Sequence, residues 1–450
     1  MTVKDKEYWQ SWATGFKENK MENIIIWGVA VLLIIIFVIP YYIKFRKTVN
    51  QDNLKLDEAR RLGAEKAIAQ HPQIDELKCI GCGACVDACP EGSVLGIVSG
   101  KAVIINGLKC VGHGLCEEAC PVEGIKVGLG DISKRDDMPL VDDNYQTNIP
   151  GVYIAGELGG LALIKNAIRQ GTVATDHIAK NVKPSQDKDV ADVIIVGAGP
   201  AGLSAALNAK KNNLSFTILD QQDAGGTILQ YPRKKLVMTK PVEIPLYGTL
   251  TKSEYFKEEL LNIWQEVIKT YNIKVHTGAK LQSITKPNGH FEVKTSAGVS
   301  KGQTVVLALG RRGTPRKLNV PGENLSKVMY KLLDAESYQD NHILVVGGGD
   351  SAIEAAMGLA RQKGNTVTLS YRKEKFFRIK SRNEERLKQM IDEKKLNVLF
   401  NSQVKTISER EVVITLADKE LNLPNEYVFI FAGGEVPFDL LKQNGIKFGG

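Results

Sequence analysis

Residues 191–202 read ADVIIVGAGPAG, a short apolar strand that runs directly into a glycine-rich turn. The turn places Gly197, Gly199 and Gly202 in a G-x-G-x-x-G pattern, and the helix-prone stretch LSAALNAKKN follows it. The next apolar strand, SFTILD, ends in Asp220. In this context the glycines let a pyrophosphate approach the helix N-terminus, and the acid binds a ribose hydroxyl. The stretch therefore predicts a Rossmann-like dinucleotide-binding unit.

A second strand–turn–helix stretch lies at residues 342–352, which read HILVVGGGDSA. Its three pattern positions are taken by Gly347, Gly349 and Ala352. The following strand, TVTLS, leads to Arg372 and Lys373, with no acid where a ribose 2′-hydroxyl partner would stand. Because basic residues at that place accommodate a 2′-phosphate, the pattern favours NADPH over NADH. The alternative is that both are ordinary surface charges.

All seven cysteines fall within one short part of the chain, in two runs. The first run, CIGCGACVDACP, begins at Cys79 and has the C-x2-C-x2-C-x3-C-P spacing that holds a [4Fe–4S] cluster. The second run, CVGHGLCEEACP, begins at Cys110 and has His113 where a cysteine is expected. The stretch between them, VLGIVSGKAVIING, predicts a short hairpin. The runs resemble the cluster-binding loops of bacterial two-cluster ferredoxins.

In such ferredoxins each run gives its fourth ligand to the other cluster. Carried over to this chain, the first cluster is held by Cys79, Cys82, Cys85 and Cys120, and the second by Cys89, Cys110, Cys116 and His113. The second cluster is then a His-ligated [4Fe–4S], which the sequence favours, or a three-cysteine [3Fe–4S]. Zinc prefers four ligands in two spaced pairs, and disulfides are rare in the cytosol, so both alternatives fit poorly.

Ile24 to Ile43 (IIIWGVAVLLIIIFVIPYYI) carries no charge and has about the 20 residues that span a bilayer core as a helix. Trp27, Tyr41 and Tyr42 lie near its ends, where interfacial aromatic residues are found. A cleaved signal peptide fits less well, because no small-residue cleavage site follows the long apolar run. A buried core helix is the other alternative. The stretch predicts a transmembrane helix with membrane lipid as its partner.

Basic residues after this span set its expected orientation. Lys44, Arg46 and Lys47 follow at once, and the excess of positive charge is on the C-terminal side. The positive-inside rule then places the rest of the chain in the cytoplasm, on the cytoplasmic membrane. The net charge of +8 is mild for 450 residues, and no basic stripe with interleaved aromatic residues is present. Nucleic-acid binding is therefore not expected.

Residues 191–450 resemble the thioredoxin-reductase-like flavoproteins of the pyridine nucleotide-disulfide oxidoreductase superfamily. The resemblance is carried by GAGPAG at 197, VVLALGRRGTPRKLNVPGE at 305, GGGDSAIEAA at 347 and EYVFIFAGGEVPFDLL at 426. It implies that the first glycine loop binds FAD and the second binds NADP or NAD. In that family the chain returns to the FAD domain after the nucleotide domain, whereas this chain stops at Gly450.

The returning segment is found upstream instead, at residues 139–180, which include NIPGVYIAGELGG. The resemblance implies that Glu157 stands at the flavin-binding acid position, that Gly156 beside it binds the cofactor, and that Asn166 and Ala167 approach the isoalloxazine ring. We interpret this order as a circular permutation, with the C-terminus near residues 130–142, because chain termini often lie close together. The alternatives are a simple linker or a segment supplied by a second subunit in a homodimer.

The cysteine positions also argue against disulfide chemistry. Thioredoxin reductases carry a CxxC pair after the second glycine motif, but the matching stretch here, GGGDSAIEAAMGLA, has no cysteine. Related disulfide reductases can have a cysteine in the first glycine motif, where this chain has Ala201. Without a thiolate, disulfide exchange cannot proceed. The resemblance is therefore taken for fold and cofactors, not for substrate.

The expected fold class is α/β, with two Rossmann-like dinucleotide-binding domains, a small α+β ferredoxin-like domain and one N-terminal transmembrane helix. The expected divisions are a 1–23 extracytoplasmic segment, a 24–43 transmembrane helix, a 44–74 charged helical stalk, a 75–130 ferredoxin-like iron–sulfur domain, a 131–182 relocated FAD-domain segment, a 190–317 FAD-binding domain, a 318–432 NAD(P)-binding domain and a 433–450 return toward the FAD domain.

These features predict a membrane-anchored, NAD(P)H-dependent FAD and iron–sulfur oxidoreductase. Its cofactors would carry the chemistry, so no catalytic acid–base pair is nominated. The partner would be an external electron carrier, namely a ferredoxin, a cytochrome or a quinone, and electrons could also flow in reverse toward NADP+. The alternatives are a disulfide reductase, a non-catalytic redox sensor or assembly subunit, and a subunit of a larger complex fed by another flavoprotein.

Overall fold

A computed structural model describes residues 23–64, 67, 70–130, 135–160, 163–238, 241–252, 254–311, 314–416 and 419–449. The expected extracytoplasmic segment, residues 1–23, lies outside the described residues except for Asn23. The described chain forms an N-terminal helix, a small module that carries the cysteines, and two units built on Rossmann-like sheets. The two Rossmann-like units carry the glycine loops, and the small module carries the cysteines.

The first helix, α1 (Asn23–Leu62), contains the apolar span and is long and apolar enough to cross a membrane. The side chains from Ile24 to Ile43 are largely exposed. A π-helical turn at Ile34–Val38 precedes Pro40. Because proline lacks an N–H and its ring crowds the carbonyl four residues earlier, this widened turn lets the helix continue past it.

The charged half of α1 is not a free stalk, because it lies against the cysteine module. Asp52 is 5% exposed and its carboxylate accepts a hydrogen bond from the Ile97 N–H at 3.0 Å. Leu56 and Ala59, on the same face, are also buried. The helix ends at Leu62, where Gly63 adopts a φ of 65° and caps it.

The predicted boundary at residue 75 is wrong by a few residues. Strand β1 (His71–Ile74) pairs antiparallel with the last strand of the cysteine module, so residues 71–74 belong to the module and not to a stalk. Pro72 in this strand is tolerated because β1 is an edge strand of a two-stranded sheet. We define the cysteine module as residues 71–130.

Two small hairpin-like sheets and two single-turn helices build the cysteine module. Its further elements are α2 (Ala84–Asp87), β2 (Leu95–Val98), β3 (Lys101–Ile104), α3 (Leu115–Glu118) and β4 (Ile125–Gly128). The predicted hairpin between the cysteine runs is confirmed, since β2 pairs antiparallel with β3. Each short helix starts after a glycine with positive φ, namely Gly83 at 82° and Gly114 at 87°. The two glycines occupy the same position in their respective cysteine runs.

The first nucleotide unit contains the relocated segment and the first glycine loop. Its elements are β5 (Val152–Ile154), α4 (Ile164–Asn181), β6 (Val190–Val196), α5 (Pro200–Lys211), β7 (Phe216–Leu219), β8 (Leu236–Met238), β9 (Val242–Ile244), β10 (Gly248–Leu250), β11 (Glu254–Phe256), α6 (Lys257–Thr270), β12 (Val275–His276), β13 (Leu281–Thr285), β14 (Phe291–Thr295) and β15 (Gly298–Leu307). The main sheet has the order β12-β7-β6-β15-β14-β13, and β5 also pairs with β15.

The relocated segment completes this unit. Strand β5 is parallel to β15, with Val152 opposite Val305 and Ile154 opposite Leu307. The side chains of Val152 and Ile154 are buried in one core with residues of β6 and β15. This is the packing that the permutation hypothesis requires, and the strand comes from the same chain.

The second nucleotide unit begins with a short strand and carries the second glycine loop. Its elements are β16 (Thr314–Pro315), β17 (Val328–Met329), β18 (His342–Val346), α7 (Asp350–Ala360), β19 (Thr366–Tyr371), α8 (Ser381–Asp392), β20 (Asn397–Phe400), β21 (Ser402–Ile407), β22 (Glu411–Leu416), β23 (Lys419–Pro424), β24 (Tyr427–Ile430), β25 (Gly434–Glu435) and α9 (Phe438–Gln443). A parallel sheet of order β17-β24-β18-β19-β20 forms its centre.

The C-terminus returns to the first nucleotide unit, as expected. Leu441 and Ile446 are buried in the same core as the strand β5. The Leu140 N–H donates to the Lys447 carbonyl at 2.9 Å, and Pro139 forms a β-bridge with Phe448. The predicted position of the C-terminus, near residues 130–142, is confirmed by these contacts.

The cysteine module also contacts the second nucleotide unit, through the segment that precedes α8. Lys380 forms an ion pair with the buried carboxylate of Glu91 at 3.1 Å. The Asn106 side-chain amide donates to the Phe377 carbonyl at 2.6 Å, and Arg61 of α1 pairs with Glu374. The module therefore lies against the second nucleotide unit of the same chain.

Candidate functional site

The first glycine loop has no room for a Cβ at Gly197 or at Gly202. Gly197 has a φ of +113°, and a Cβ there would lie 2.3 Å from the Ala308 carbonyl oxygen. A Cβ on Gly202 would lie 1.8 Å from the Gly197 carbonyl oxygen, so the helix can approach the turn only with glycine at this position. The loop thus has the tight turn and the close helix–strand approach that a dinucleotide pyrophosphate site needs.

Helix α5 begins at this loop without a capping side chain. Its N-cap is Gly199, and no side chain accepts a hydrogen bond from its first turn. A pyrophosphate is a suitable acceptor for such N–H groups at a helix N-terminus. The residues present therefore fit the phosphate part of FAD.

A pair of glycines that the sequence analysis did not single out lies across from this loop. Gly225 and Gly226 both have positive φ, and a Cβ on Gly226 would lie 2.9 Å from the Gly199 Cα. A Gly-Gly dipeptide shortly after a strand is a turn signal, so it could have been found from the sequence.

Asp220 directly follows β7, about 20 residues after the glycine loop in the sequence, as the motif requires. Its carboxylate accepts hydrogen bonds from the Ala198 N–H at 2.6 Å and the Gln222 N–H at 2.7 Å. Burial raises the pKa of this carboxyl, although these N–H donors act in the opposite direction. The Ala198 contact places Asp220 directly beside the glycine turn, where a ribose would bind.

The relocated segment brings its predicted residues to the same place. The Gly156 N–H donates to the Gln170 side chain at 2.6 Å, and a Cβ on Gly156 would lie 3.3 Å from the Ala201 Cβ and 4.0 Å from the Ala167 Cβ. Gly156, Ala167 and the first turn of α5 therefore converge. Glu157 begins a single helical turn next to them.

Arg311 is a further charged residue in this region that the sequence did not reveal. Burial lowers the pKa of its guanidinium, and the negative charges of Glu157 and Asp137 oppose that shift. The guanidinium also lies 5.3 Å from the ring centroid of Phe438, on the returning C-terminal segment. Arg311 is thus a countercharge for Glu157, contributed by the end of the main sheet.

The second glycine loop repeats the constraints of the first. Gly347 has a φ of +148°, and a Cβ there would lie 2.6 Å from the Phe431 carbonyl and 3.0 Å from the Ala352 Cβ. Gly349 is the N-cap of α7, which also has no capping side chain. This loop fits a second dinucleotide pyrophosphate.

Several basic residues follow β19 near the second loop. Arg372 is exposed just after β19, and the Lys373 ammonium lies 4.1 Å from the ring centroid of Phe377. The guanidinium closest to the loop is that of Arg378, which lies 3.5 Å from the position of a Cβ on Gly349. Sequence reasoning missed Arg378 because it lies well past the end of β19.

The four predicted ligands of the first cluster line one cavity, although they come from both runs. They are Cys79, Cys82, Cys85 and Cys120. The sulfur of Cys79 accepts a hydrogen bond from the Ala102 N–H at 3.3 Å, and that of Cys120 from the Gly124 N–H at 3.2 Å. N–H donors to cluster sulfurs are among the features that set a reduction potential.

A second cavity is lined by the other predicted set. Its predicted ligands are Cys89, Cys110, His113 and Cys116. The ring Nδ1 of His113 accepts from the Leu115 N–H at 3.3 Å. A ligating histidine usually donates its second ring N–H, so this contact differs from the one that commonly orients a ligating ring.

Two of the buried thiols in these cavities hold their protons at neutral pH unless iron replaces them. Burial, together with neighbouring thiols, raises the pKa of Cys85 and of Cys116 to about 11. Iron binding must therefore displace protons that these thiols hold at neutral pH. The two cavities, each lined by thiolates at cluster spacing, fit iron–sulfur clusters.

The other two explanations of the cysteines find no support in the geometry. All seven are free thiols. Within the part of the chain that the structure describes, no three His, Cys, Asp or Glu residues converge on a single metal ion. A mononuclear zinc site requires such convergence, whereas a cluster spreads its thiolates around several irons.

Comparisons with known proteins agree with this geometry. Residues 194–449, more than half of the chain, match the family model described as pyridine nucleotide-disulphide oxidoreductase. Residues 71–121 match the model described as a 4Fe-4S dicluster domain, which includes both cysteine runs and the strand β1. The second match supports the corrected start of the cysteine module.

Individual relatives come from two activity classes. The chain is 27% identical over 260 residues to bacilliredoxin reductase Bdr of Bacillus subtilis (strain 168), covering 56% of this chain and 80% of that protein. It is 27% identical over 267 residues to a ferredoxin–NADP reductase of Ignicoccus hospitalis, covering 58% and 82%. The solved bacillithiol disulfide reductase Bdr from Staphylococcus aureus aligns with a TM-score of 0.51 at 27% identity, covering 58% of this chain and 81% of that one.

These matches support flavin, nicotinamide and iron–sulfur cofactors and an oxidoreductase activity. The chain belongs to the pyridine nucleotide-disulphide oxidoreductase family, as a thioredoxin-reductase-like flavoprotein joined to a 4Fe-4S ferredoxin module.

Proposed function

We propose that this chain is a membrane-anchored, NADPH-dependent oxidoreductase that passes electrons through FAD and two iron–sulfur clusters to an external one-electron carrier. In the net reaction NADPH is oxidised to NADP+ and one proton is released, while two carrier molecules each gain one electron. The bound flavin supplies the conversion between two-electron and one-electron chemistry.

The observation that carries this proposal is the position of the thiols. Every cysteine of the chain lines one of two cavities in the cysteine module, and none lies at either glycine loop. A flavin bound beside Gly156 and Ala201 would therefore have no thiol next to it for disulfide exchange. Iron–sulfur clusters in the neighbouring module are the electron acceptors that the chain itself offers.

The protein's own groups would bind and orient the cofactors. The two glycine loops and the N-termini of α5 and α7 would hold the pyrophosphates of FAD and NADPH. The relocated segment would cover the flavin with Glu157 and the first turn of α4. Arg378, beside the second loop, and the exposed Arg372 support a preference for the 2′-phosphate of NADPH.

For the second cluster we propose a [4Fe–4S] with His113 in the fourth position, which would raise its potential relative to a four-cysteine site. The presence of His113 in the cavity supports this assignment. A three-cysteine [3Fe–4S] is the second candidate, and the hydrogen bond from the Leu115 N–H to the ring Nδ1 favours it. Iron analysis and EPR of the purified protein distinguish the two.

The cysteine module would lie at the cytoplasmic surface of the membrane. Val49 packs into the core that contains Cys79 and Cys85. It follows the end of the apolar span at Ile43 by six residues, which is about 9 Å along a helix. The carrier would therefore be reached close to the bilayer, where a membrane cytochrome, a quinone or a docked ferredoxin could be reduced.

A disulfide reductase is the second candidate function, because the bacilliredoxin and bacillithiol disulfide reductases named above are among the relatives. The test compares NADPH-driven reduction of ferricyanide and cytochrome c with reduction of bacillithiol disulfide and a chromogenic aryl disulfide. We expect rapid reduction of the one-electron acceptors alone. Turnover of either disulfide, unaffected by loss of the clusters, would overturn the proposal in favour of disulfide reduction.

A further inference from the structure

Gln70 is a buried polar residue at the junction of the cysteine module and the first nucleotide unit. It lies just before β1 and is 5% exposed, although glutamine is usually a surface residue. A buried amide requires hydrogen-bond partners, since leaving it without them is costly. Its side-chain amide has partners in two different parts of the molecule, the loop at Val111 and Gly112 and the side chain of Asn166.

One side of Gln70 contacts the loop of the second cysteine run. Its Nε2 donates to the Gly112 carbonyl at 2.6 Å. A Cβ on Gly112 would lie 1.9 Å from the Gln70 Cγ, so the side chain rests directly on this glycine. Gly112 lies between Cys110 and His113 and lines the second cavity with them.

The other side of Gln70 contacts the relocated segment. Its Oε1 accepts a hydrogen bond from the Asn166 side-chain amide at 3.0 Å. Asn166 is in the first turn of α4, next to Ala167, which faces Gly156 and the start of α5. The proposed flavin site and the second cavity are thus joined through a single side chain.

We propose that Gln70 is a positioning residue that holds the second cluster against the flavin site and makes that cluster the direct acceptor of flavin electrons. This inference rests on the proposed function and extends it by fixing the order of the two clusters. The first cluster then becomes the exit to the carrier. Its ligand Cys82 is exposed, and the neighbouring Ile80 is 64% exposed, so a carrier can approach it.

The electron balance of this order is simple. Each NADPH delivers two electrons to the flavin site, and they cross the Gln70 junction one at a time to the second cluster. Each electron would then pass to the first cluster, against the raised potential of a His-ligated second cluster, and would be drawn forward by the carrier, which takes one electron per molecule. No further oxidant or reductant is needed, and the single proton is released when NADPH becomes NADP+.

The test is stopped-flow mixing of the anaerobic full-length protein with NADPH, following flavin bleaching and cluster bleaching separately. The variant is Gln70→Ala, and the matched control is Gln73→Ala, an exposed glutamine in β1. We expect flavin bleaching to be unchanged in both. Cluster bleaching should slow by roughly tenfold to a hundredfold in Gln70→Ala alone, because small misplacements of reacting groups have effects of that order.

The Asn166→Ala variant removes the hydrogen bond to the Gln70 side chain from the other side and so tests the same junction. The double variant Gln70→Ala/Asn166→Ala should be no slower than the slower of the two single variants, because residues in one contact act non-additively. EPR of dithionite-reduced samples should show both clusters intact in every variant. Unchanged cluster bleaching in Gln70→Ala, with clusters and flavin present, would overturn the proposal.

A readout that does not depend on turnover keeps this inference separate from the proposed function. Hydrogen–deuterium exchange should rise both in residues 110–116 and in residues 164–168 of Gln70→Ala, and in neither region of Gln73→Ala. If wild-type flavin is not bleached by NADPH, the proposed function fails, and exchange still decides whether Gln70 joins the two regions. If hydrogen exchange in Gln70→Ala rises in only one of these two regions, or in neither, Gln70 does not join them.

Discussion

Gly171 of the relocated helix α4 lies directly against the backbone carbonyl of Ala201 in α5, and a Cβ at Gly171 would come within 2.1 Å of that oxygen. This contact fixes how closely the relocated segment approaches the helix that follows the first glycine loop. The two helices are adjacent in space although β6 and a connecting segment separate them in the chain. The flavin site depends on that approach.

We therefore predict that Gly171→Ala loosens flavin binding. Overfilling a packed contact costs about 1–3 kcal/mol, which exceeds the gain of about 0.5–1 kcal/mol for replacing glycine inside a helix. Gly159→Ala is the control, since its Cβ would meet only the Ile154 side chain at 3.8 Å. The flavin content after gel filtration should fall in the first variant alone. Equal flavin content in both variants would show that the segment does not form part of the site.

The cavities predict which cluster each cysteine serves. Cys120 belongs to the second run but lines the cavity with Cys79, whereas Cys89 belongs to the first run and lines the cavity with Cys110. Cys120→Ala should therefore perturb the same EPR signal as Cys79→Ala, and Cys89→Ala the same signal as Cys110→Ala. If each run instead serves one cluster, Cys120→Ala and Cys110→Ala will give matching spectra.

Nucleotide preference should depend more on Arg378 than on Lys373. Arg378 lies beside Gly349 at the second loop, whereas the Lys373 ammonium lies over the Phe377 ring. A hydrogen bond to a charged group contributes about 1.5–3 kcal/mol, so Arg378→Ala should raise the KM for NADPH by roughly tenfold or more. The KM for NADH should stay nearly unchanged. A similar rise for both nucleotides would indicate a structural role for Arg378.

Flavin affinity should fall on mild acidification because of Asp220. Burial raises the pKa of this carboxyl above the ordinary value of about 3.9. A ribose hydroxyl donates to the ionised form, so binding is strongest above the pKa of the flavin-free protein and weakens as the pH falls through it. Fluorescence of released FAD measures this. Asp220→Asn should bind more weakly near neutral pH and lose the pH dependence; an unchanged pH profile would exclude Asp220 as the group.

Local patterns allowed much of this site to be predicted from the sequence. The two glycine loops follow from short-range sterics, since a turn that forbids a Cβ at Gly197 or Gly347 can be recognised from its neighbours. The crossed cysteine sets follow from the resemblance to two-cluster ferredoxins, and the structure brings each set to one cavity. The contact between Leu140 and Lys447 agrees with the predicted position of the C-terminus near residues 130–142.

The parts that could not be predicted depend on contacts between residues far apart in the chain. Gln70 precedes a strand and carries no pattern of its own, because its partners are Gly112 and Asn166. Arg311 becomes notable only through its proximity to Glu157. The start of the cysteine module was placed too late, because His71–Ile74 contains a proline and has no strand alternation.

The central claim is that electrons from NADPH reach the clusters through the flavin, and anaerobic titration of the detergent-solubilised protein tests it most directly. NADPH is added in steps while flavin absorbance and low-temperature EPR are recorded on the same samples, with NADH in a parallel series. The account predicts flavin bleaching followed by reduced-cluster signals, at lower concentrations of NADPH than of NADH. Flavin that bleaches while both clusters stay oxidised would contradict it and would favour electron flow from a reduced carrier toward NADP+.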